Sequence, residues 1–306
     1  MIMNHDQMNH MNHSMTSGSG FDTFVQLWGP EIMLIAVLLA ALYLAVVGPY
    51  RNRFADSAPV PRHKKIAFMA GLFMFYLALG SPVAYYGHHF LFSVHMAQQC
   101  LLFIFMVPLM IMGTPAWLVQ PLFNQKILGA VLTKLTNPFL GIMFFNMLFS
   151  FYHIPQIFDA FHAMPAWNIA FHALLTLLAF QMWWPILTPI PSQQRLSELR
   201  KMAYIFINGL LLTPACALIT FAGTPLFETY MNAPQLFEYH SVLEDQVLGG
   251  VLMKLMQEAS YGSILAYTFF RWYRKEREKD APLDVLPNQQ MTILPRPVGD
   301  GNGGTA

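Results

Sequence analysis

Charged residues are scarce in this sequence, at 11% of 306 residues, whereas soluble domains carry about a quarter. Hydrophobic residues make up 55% of the chain. Cysteine is scarce as well, because only Cys100 and Cys216 are present and both lie in apolar stretches. A glycine-rich phosphate-binding loop is also missing from the sequence. These shortages argue against a soluble fold, a disulfide-organised domain and a nucleotide-binding enzyme.

Lysine and arginine are missing from the first 27 residues. A secretory signal peptide begins with a basic segment ahead of its apolar core, so we expect no such peptide here. The first apolar run, residues 32–47, is therefore expected to remain in the protein as a membrane span.

Long apolar stretches are what the sequence does contain. About 20 apolar residues cross the hydrocarbon core of a bilayer. Backbone groups in lipid must be hydrogen-bonded within their own segment, which requires helices. The sequence therefore predicts an all-α membrane protein, a seven-transmembrane helix bundle. The predicted spans are residues 31–49, 66–84, 90–113, 138–158, 167–187, 202–222 and 246–270.

The placement of basic residues predicts the orientation of these spans, because cytoplasmic loops are rich in Lys and Arg. All 17 lysines and arginines except Lys254 fall in the first, third and fifth loops or after the last span. We therefore expect an N-terminus outside the cytoplasm, a cytoplasmic C-terminus and a multi-pass protein of the bacterial cytoplasmic membrane. Since the basic residues follow the topology, a nucleic-acid partner is not expected.

The two ends of the chain differ in composition from the apolar middle. Residues 1–27 are rich in His, Met, Asn and Ser, and residues 275–306 are rich in Pro and Gly. Such compositions cannot bury enough apolar surface to fold, so we expect disordered tails on either side of a membrane domain at residues 28–274.

Histidines concentrate on the outer side of the predicted topology. Of the 11 histidines, only His63 lies on the cytoplasmic side. His95, His153 and His172 each lie five residues inside a predicted outer boundary, which is ~7–8 Å deep at about 1.5 Å per residue. Three imidazoles at one depth predict a shared metal site. The alternative is that each ring is an ordinary hydrogen-bond donor inside the bundle. The other outer histidines outside the tail (His88, His89, His162 and His240) are interpreted as loop residues.

Sulfur-containing side chains accompany these histidines. Met96 and Cys100 lie one turn apart on the third span, and Met253 is expected to face inward from the last span. Imidazole suits copper, and thioether or thiolate ligands favour Cu(I) over hard cations. The six predicted ligands are thus His95, Met96, Cys100, His153, His172 and Met253. Alternatively, Cys100 is a small buried apolar residue.

Other polar residues lie next to the predicted ligands or inside the last span. Gln99, Asp159 and Asp245 are predicted to orient the ligands from a second shell, although the two carboxylates could instead cap helix ends. Lys254 and Glu258 are spaced to pair within the last helix and are expected on its inward stripe; this pair is either structural or involved in proton or ion movement.

The N-terminal tail has a second set of candidate metal ligands. A tail of this composition forms no core, so packing does not explain its His and Met residues. Copper capture is the predicted role of Met3, His5, Met8, His10, Met11, His13 and Met15.

Four segments resemble a known family. They are residues 92–115 (F-S-V-H-M-A-Q-Q-C-L-L and later G-T-P), 152–159 (Y-H-I-P-Q-I-F-D), the helix of His172 ending in W-W-P, and 245–253 (D-Q-V-L-G-G-V-L-M). The chain resembles the CtaG family of cytochrome c oxidase assembly factors, in its seven-span bacterial form, from about residue 28 to residue 274.

The resemblance implies a role in building a haem–copper oxidase, with provision of copper to the oxidase copper centre. It carries functional positions over to His95, Met96, His153, His172, Asp245 and Met253. In many members of that family the third span has a pattern like H-M-x-x-H. In this sequence Gln99 takes the place of the second histidine. Met96 or Cys100 are the candidate substitutes for that ligand.

The function that these observations favour is non-catalytic: an assembly factor that binds copper, as Cu(I), at the outer face. Its expected partners are a cytochrome c oxidase subunit, other copper chaperones and membrane lipid. The alternatives are a copper transporter, which would need ligands through the whole membrane, and a haem-binding redox protein with two axial histidines. A retinal protein is disfavoured, because the third span lacks an acidic counterion for Lys254.

Overall fold

The structure is a computed structural model, and it describes residues 20–280. The predicted copper-capturing residues of the tail, Met3 to Met15, and the chain after residue 280 lie outside the described residues. Within the described part, residues Gly20–Trp28 at the end of the predicted N-terminal tail form a helix.

The described chain is helical, with short connections. Proline stands in the first turn of several helices, where its missing N–H costs no hydrogen bond. The helices are α1 Gly20–Trp28, α2 Pro30–Val47, α3 Arg62–Leu79, α4 Pro82–His89, α5 Phe92–Gln99, a π-helix Cys100–Met106, α6 Val107–Gly113, α7 Ala116–Asn124, α8 Lys126–Leu135, α9 Pro138–Tyr152, α10 Pro155–His162, α11 Pro165–Leu187, α12 Glu198–Thr220, α13 Glu228–Met231 and α14 Val242–Asp280, with 3-10 turns at Arg51–Arg53 and Pro191–Gln193.

Several of these helices are long and apolar enough to cross a membrane, which makes the chain a multi-pass membrane protein. Within residues 20–280 there are five such helices: Pro30–Val47, Arg62–His89, Phe92–Gly113, Pro165–Leu187 and Glu198–Thr220. A sixth span results if α8 and α9, which meet at a bend of 63°, are taken together. The last predicted span falls within α14, which is not among the apolar helices, so the seven-span count stays a prediction.

The helix Phe92–Gly113, made of α5, the π-helix and α6, is the centre of the bundle. In its most apolar stretch 61% of the residues are buried, compared with 11% for α2. Helix α2 exposes a row of large aliphatic residues, as expected of a lipid-facing helix at the periphery. The third predicted span is therefore the one around which the other helices pack.

The π-helix within the central helix is explained by Pro108, which has no N–H to donate to the preceding turn. The carbonyls that lose this donor accept hydrogen bonds from side chains of neighbouring helices instead. Trp183 of α11 donates to the carbonyl of Phe103 at 3.0 Å, and Ser260 of α14 donates to that of Ile104 at 3.0 Å. Such replacement partners make proline tolerable inside a membrane helix.

A buried amide pair joins α9 to α12. Asn146 donates to the side-chain oxygen of Asn208 at 2.9 Å, and Asn208 donates to the carbonyl of Tyr204. Both asparagines are buried, at 4% and 2% exposure. Hydrogen bonds between membrane helices of this kind fix which faces meet, because an unpaired amide in an apolar interior is costly.

The ion pair predicted within the last helix is present. Lys254 Nζ lies 2.7 Å from Glu258 Oε1, and it also donates to Thr213 of α12 at 2.9 Å. The expectation that both side chains face inward is wrong for Glu258, whose side chain is 56% exposed. Gln257, which the sequence places on the same inward stripe, does face inward and is fully buried. Positions 257 and 258 differ by about 100° around the helix, so Glu258 points away from the face that Gln257 presents to the bundle.

Candidate functional site

Two of the three predicted histidines come together beside the N-terminal end of the central helix. The ring centroids of His95 on α5 and His172 on α11 are 6.0 Å apart, with the ring planes at 82°. His95 is 2% exposed, and His172 is partly buried. The two rings are therefore neighbours, as a shared site requires.

His153 lies next to this pair, with Tyr152 between them. The Tyr152 ring is 5.2 Å from that of His172, 6.2 Å from that of His95 and 5.4 Å from that of His153. Tyr152 is fully buried, and its hydroxyl has no hydrogen-bond partner among the described residues. All three predicted histidines thus surround one buried tyrosine at one end of the bundle.

Hydrogen bonds to backbone carbonyls fix the protonation of the rings. Nδ1 of His153 donates to the carbonyl of Phe149 at 2.7 Å, and Nδ1 of His172 donates to the carbonyl of Asn168 at 2.9 Å. A carbonyl oxygen only accepts, so in each neutral ring Nε2 is the nitrogen without a proton. Metal-binding histidines are held in this way, with one nitrogen donating to a carbonyl and the other free for the metal.

His95 is held differently, because its ring nitrogen already has a partner. The amide nitrogen of Gln99, one turn later on α5, donates to Nε2 of His95 at 2.8 Å. The proton of the neutral ring is then on Nδ1. The other end of the Gln99 amide, Oε1, is buried without a hydrogen-bond partner among the described residues. A metal at Nε2 of His95 would have to displace the Gln99 amide.

Sequence reasoning treated His88 and His162 as loop residues, yet the structure packs them against the predicted site. Their rings are stacked with centroids 4.1 Å apart, and His162 is 6.2 Å from the ring of His95. His162 donates from Nε2 to the carbonyl of His88 at 2.8 Å, and its Nδ1 is buried without a described partner. Burial keeps the pKa of His162 below its usual value, although the carbonyl bond opposes this shift.

A gradient of exposure runs through these histidines. His89 is exposed and its ring is 4.8 Å from that of His88; His88 and His162 are partly buried; His95 is buried. The sequence signal for this group was the one-sided distribution of histidines. Spacing alone did not show that α4 and α10 meet, so the group could not be assembled from the sequence.

The sulfur-containing candidates form a separate group on a different side of the central helix, facing α14. Met96 is fully buried opposite Gly249, where a Cβ would lie 3.1 Å from Met96 Cγ. The thiol of Cys100 points at the carbonyl of Met253 at 3.8 Å, and Met253 is 1% exposed. Met253 thus faces inward as expected. Adjacent positions on a helix point about 100° apart, which separates Met96 from His95.

The two carboxylates expected around the site act as helix caps. Asp245 accepts the backbone N–H of Phe92 at 2.6 Å and the N–H and hydroxyl of Ser93, at the start of α5. Asp159 accepts the N–H of Glu228 at 3.0 Å and the N–H and hydroxyl of Thr229, in α13. A carboxylate suits a helix N-terminus, where N–H groups lack partners and the dipole is positive. The sequence left open whether these carboxylates orient metal ligands or cap helix ends. The hydrogen bonds seen here are those of helix caps.

The arrangement supplies pairs of histidines and not a closed metal cage. Across the described residues 20–280, no group of three or more His, Cys, Asp and Glu side chains is arranged to hold a metal ion as it stands. The orphaned buried nitrogens of His153 and His162 are nonetheless lone-pair donors of the kind that copper accepts. The donor chemistry therefore fits a soft or borderline cation that is bound by few ligands at a time.

Fold and site together define a multi-pass helical membrane protein with a cluster of buried histidines at one end of its bundle. Within that class, the chain belongs to the cytochrome c oxidase caa3 assembly factor family, whose model matches residues 41–275. The resemblance noted in the sequence is thereby confirmed, and the match includes every candidate ligand outside the N-terminal tail.

Two curated relatives are similar to the chain: an uncharacterized protein of Mycobacterium bovis and an uncharacterized protein of Mycobacterium tuberculosis. Each is 26% identical to it over 260 residues, which is 79% of this chain and 38% of the relative. The chain thus spans less than half the length of the relatives it matches. No solved structure matches the chain.

Proposed function

We propose that this cytochrome c oxidase assembly factor acts without catalysis, by binding copper at its histidine end and handing it to the oxidase copper centre. The observation that carries this proposal is the state of the buried imidazoles. His153, His162 and His172 each donate one ring N–H to a backbone carbonyl. The second ring nitrogen is therefore unprotonated and has a lone pair for a metal ion. Family membership supplies the oxidase as the target.

Copper in the form of Cu(I) fits these donors best. Imidazole suits copper, and the thioethers and thiol on the α14 side of α5 select Cu(I) over hard cations. Met96, Cys100 and Met253 are buried on the side of the central helix that faces α14, and they are the proposed ligands of a soft ion behind the histidines. Copper is the cargo of the protein here, which takes it up and releases it unchanged.

Transfer between ligand pairs is favoured over permanent storage. The rings proceed from exposed His89 through His88 and His162 to buried His95, at centroid separations of 4.8, 4.1 and 6.2 Å. Each step offers a new imidazole to an ion held by the preceding one. An ion that is never enclosed by a full set of ligands can be released to a partner with a better site.

The membrane placement of this activity follows from the positive-inside rule. We propose that the histidine end faces outward in a bacterial cytoplasmic membrane and that α14 completes seven spans. The His- and Met-rich tail would then collect copper on the same side. An oxidase subunit is the proposed acceptor, other copper chaperones are proposed donors, and lipid surrounds the bundle.

The proposal is tested by metal analysis of the detergent-purified full chain. Bound copper is measured by mass spectrometry after Cu(I) loading, and haem is measured by its Soret absorption. Wild type is compared with His95→Ala combined with His172→Ala, and with the control His63→Ala at the other end of the bundle. A third variant lacks residues 1–17. Thermal melting of each protein checks that it is folded.

The expected result is copper without haem in wild type and in His63→Ala, and a lower content of bundle copper in the double variant, which keeps His153 and His162. The tail deletion is expected to lower the copper stoichiometry and leave the bundle site. Copper content that is identical in all variants would contradict the proposal. Haem in place of copper would favour the redox alternative, and copper uptake into proteoliposomes would favour the transporter.

A further inference from the structure

A second candidate site lies at the end of the bundle opposite the histidines. There, α3 and α12 begin and α11 ends around a cavity of about 300 Å³. It is separate from the histidine end: Ile111, which lines the cavity, follows His95 on the same continuous helix by ~24 Å at about 1.5 Å per residue.

Positive charge dominates the walls of this cavity. Lys64 of α3, Lys201 of α12 and Arg271 of α14 line it, and among its described lining residues Glu198 is the only acidic one. Glu198 pairs with Arg271 at 2.7 Å and with Lys275 at 3.0 Å through the same oxygen, Oε1. A single carboxylate therefore faces more cations than it can neutralise.

The excess of positive charge around Glu198 affects Lys201 most, because Lys201 is buried. Its side chain is 4% exposed, and its ammonium lies 3.8 Å from Glu198 Oε2, which is longer than a hydrogen bond. Taking a charge out of water is costly unless it is paired and hydrogen-bonded. An anion in the cavity would provide an opposite charge and hydrogen-bond acceptors to Lys201 and to its neighbour Arg271.

The remaining walls are apolar. Ile111, Met112, Ile186 and Leu187 line the cavity beside the cations. The cavity lies where α3 and α12 begin and where α6 and α11 end, which is the level of the lipid headgroups. A phospholipid combines an anionic phosphate with apolar chains in this arrangement, and basic pockets between helix ends are suited to such headgroups.

We propose that this cavity binds the phosphate headgroup of an anionic phospholipid, with Lys64, Lys201 and Arg271 contacting the phosphate. The apolar residues contact the glycerol and the first methylenes of the chains. Bound lipid would join α3, α11, α12 and α14 at this end of the bundle. This role is independent of copper and of the direction in which the bundle is inserted.

The test measures thermal stability and lipid retention of the full chain. Protein is reconstituted in nanodiscs of phosphatidylcholine alone or with added phosphatidylglycerol, and native mass spectrometry follows lipid that stays bound. A third arm titrates inorganic phosphate into protein in phosphatidylcholine. We expect phosphatidylglycerol to be retained and to raise the melting temperature, while inorganic phosphate at millimolar concentration has little effect.

Variants locate the effect. Arg271→Gln and Lys64→Gln each remove one cation from the cavity and should weaken phosphatidylglycerol retention roughly fivefold. Lys126→Gln removes a cation that does not line the cavity and should behave as wild type. Lys64→Gln lies at a helix start and spares the ion pairs of Glu198, so it tests the site even if Arg271→Gln destabilises the fold.

Three results would overturn the proposal. One is equal retention of phosphatidylglycerol and phosphatidylcholine by wild type. The second is an equal loss of retention in Lys126→Gln and in the cavity variants. The third is stabilisation by inorganic phosphate with no preference among lipids, which would identify a soluble anion as the ligand.

Discussion

The two ends of the bundle differ in their buried polar groups: one has neutral histidine rings and the other has cationic side chains. At the histidine end, buried rings are held by carbonyl bonds that leave lone pairs on Nε2 of His153 and His172. At the basic end, Lys201 and Arg271 lie beside a single carboxylate, Glu198. The first end is poor in positive charge and rich in electron-pair donors, and the second is rich in positive charge.

This difference indicates which ligands each end can accept. Neutral imidazoles attract a cation, and several ammonium and guanidinium groups that share one carboxylate attract an anion. Packing against α14 also differs between two of its glycines. Gly249, near the histidine end of α14, lies against Phe92 and Met96, whereas Gly262, further toward the basic end, has open space beside it.

The largest predicted effect tests whether the two ends are independent. His95→Ala combined with His172→Ala should lower Cu(I) affinity by about 100-fold or more, since even supporting residues of a metal site contribute about 10–100-fold. The same protein should keep its preference for phosphatidylglycerol over phosphatidylcholine. Cu(I) competition titrations and native mass spectrometry measure the two properties. Loss of both together would mean that the variant disturbs the whole bundle.

The difference in packing is tested by two glycine variants of α14. Gly249→Ala places a Cβ 2.6 Å from Phe92 and 3.1 Å from Met96, and overpacking of this kind costs about 1–3 kcal/mol. Gly262→Ala meets nothing within 4 Å and should gain ~0.5–1 kcal/mol from its helix preference. Denaturant titrations of both variants give the free energy of unfolding. Effects of the same sign would contradict the contrast.

Two adjacent tryptophans test how the central helix tolerates Pro108. Trp183→Phe removes the donor to the Phe103 carbonyl and should cost about 1–3 kcal/mol. Trp184→Phe removes a buried N–H that has no described partner, so its free energy of unfolding should change little. Equal costs for the two variants would show that the lost ring volume dominates, and not the hydrogen bond.

The smallest predicted effect concerns Gln99. Gln99→Leu removes the amide that occupies Nε2 of His95 and should raise Cu(I) affinity about fivefold, the equivalent of one ordinary hydrogen bond. Gln98→Leu is the matched control, because Gln98 donates to the carbonyl of Ala78. A lower affinity in Gln99→Leu would instead favour the predicted orienting role of Gln99.

Several features of the site could be anticipated from the sequence because they depend on local spacing. The helical period placed Lys254 and Glu258 within pairing distance and put Met96 one turn from Cys100. The concentration of histidines on one side of the topology indicated that one end of the bundle is special. His95 and His172 were selected on this basis, and the structure brings their rings to 6.0 Å.

Other features required the fold, because a helical period does not give the rotation of a helix against its neighbours. Spacing alone did not separate the sulfur ligands from the histidines, although they face different sides of α5. It also assigned Glu258 to the inward stripe, whereas the structure turns it outward. His88 and His162 were taken for loop residues because the meeting of α4 with α10 involves positions 74 residues apart.

The sequence by itself determined the class of the protein, the helical state of its apolar segments and the segregation of histidine from basic residues. These properties follow from composition and from the requirement that backbone groups in lipid be hydrogen-bonded locally. Tertiary structure alone decided which histidines touch, which nitrogens are free, where the π-helix finds its replacement donors and how cations gather around Glu198. Those outcomes depend on contacts between helices distant in the chain, which local periodicity cannot specify.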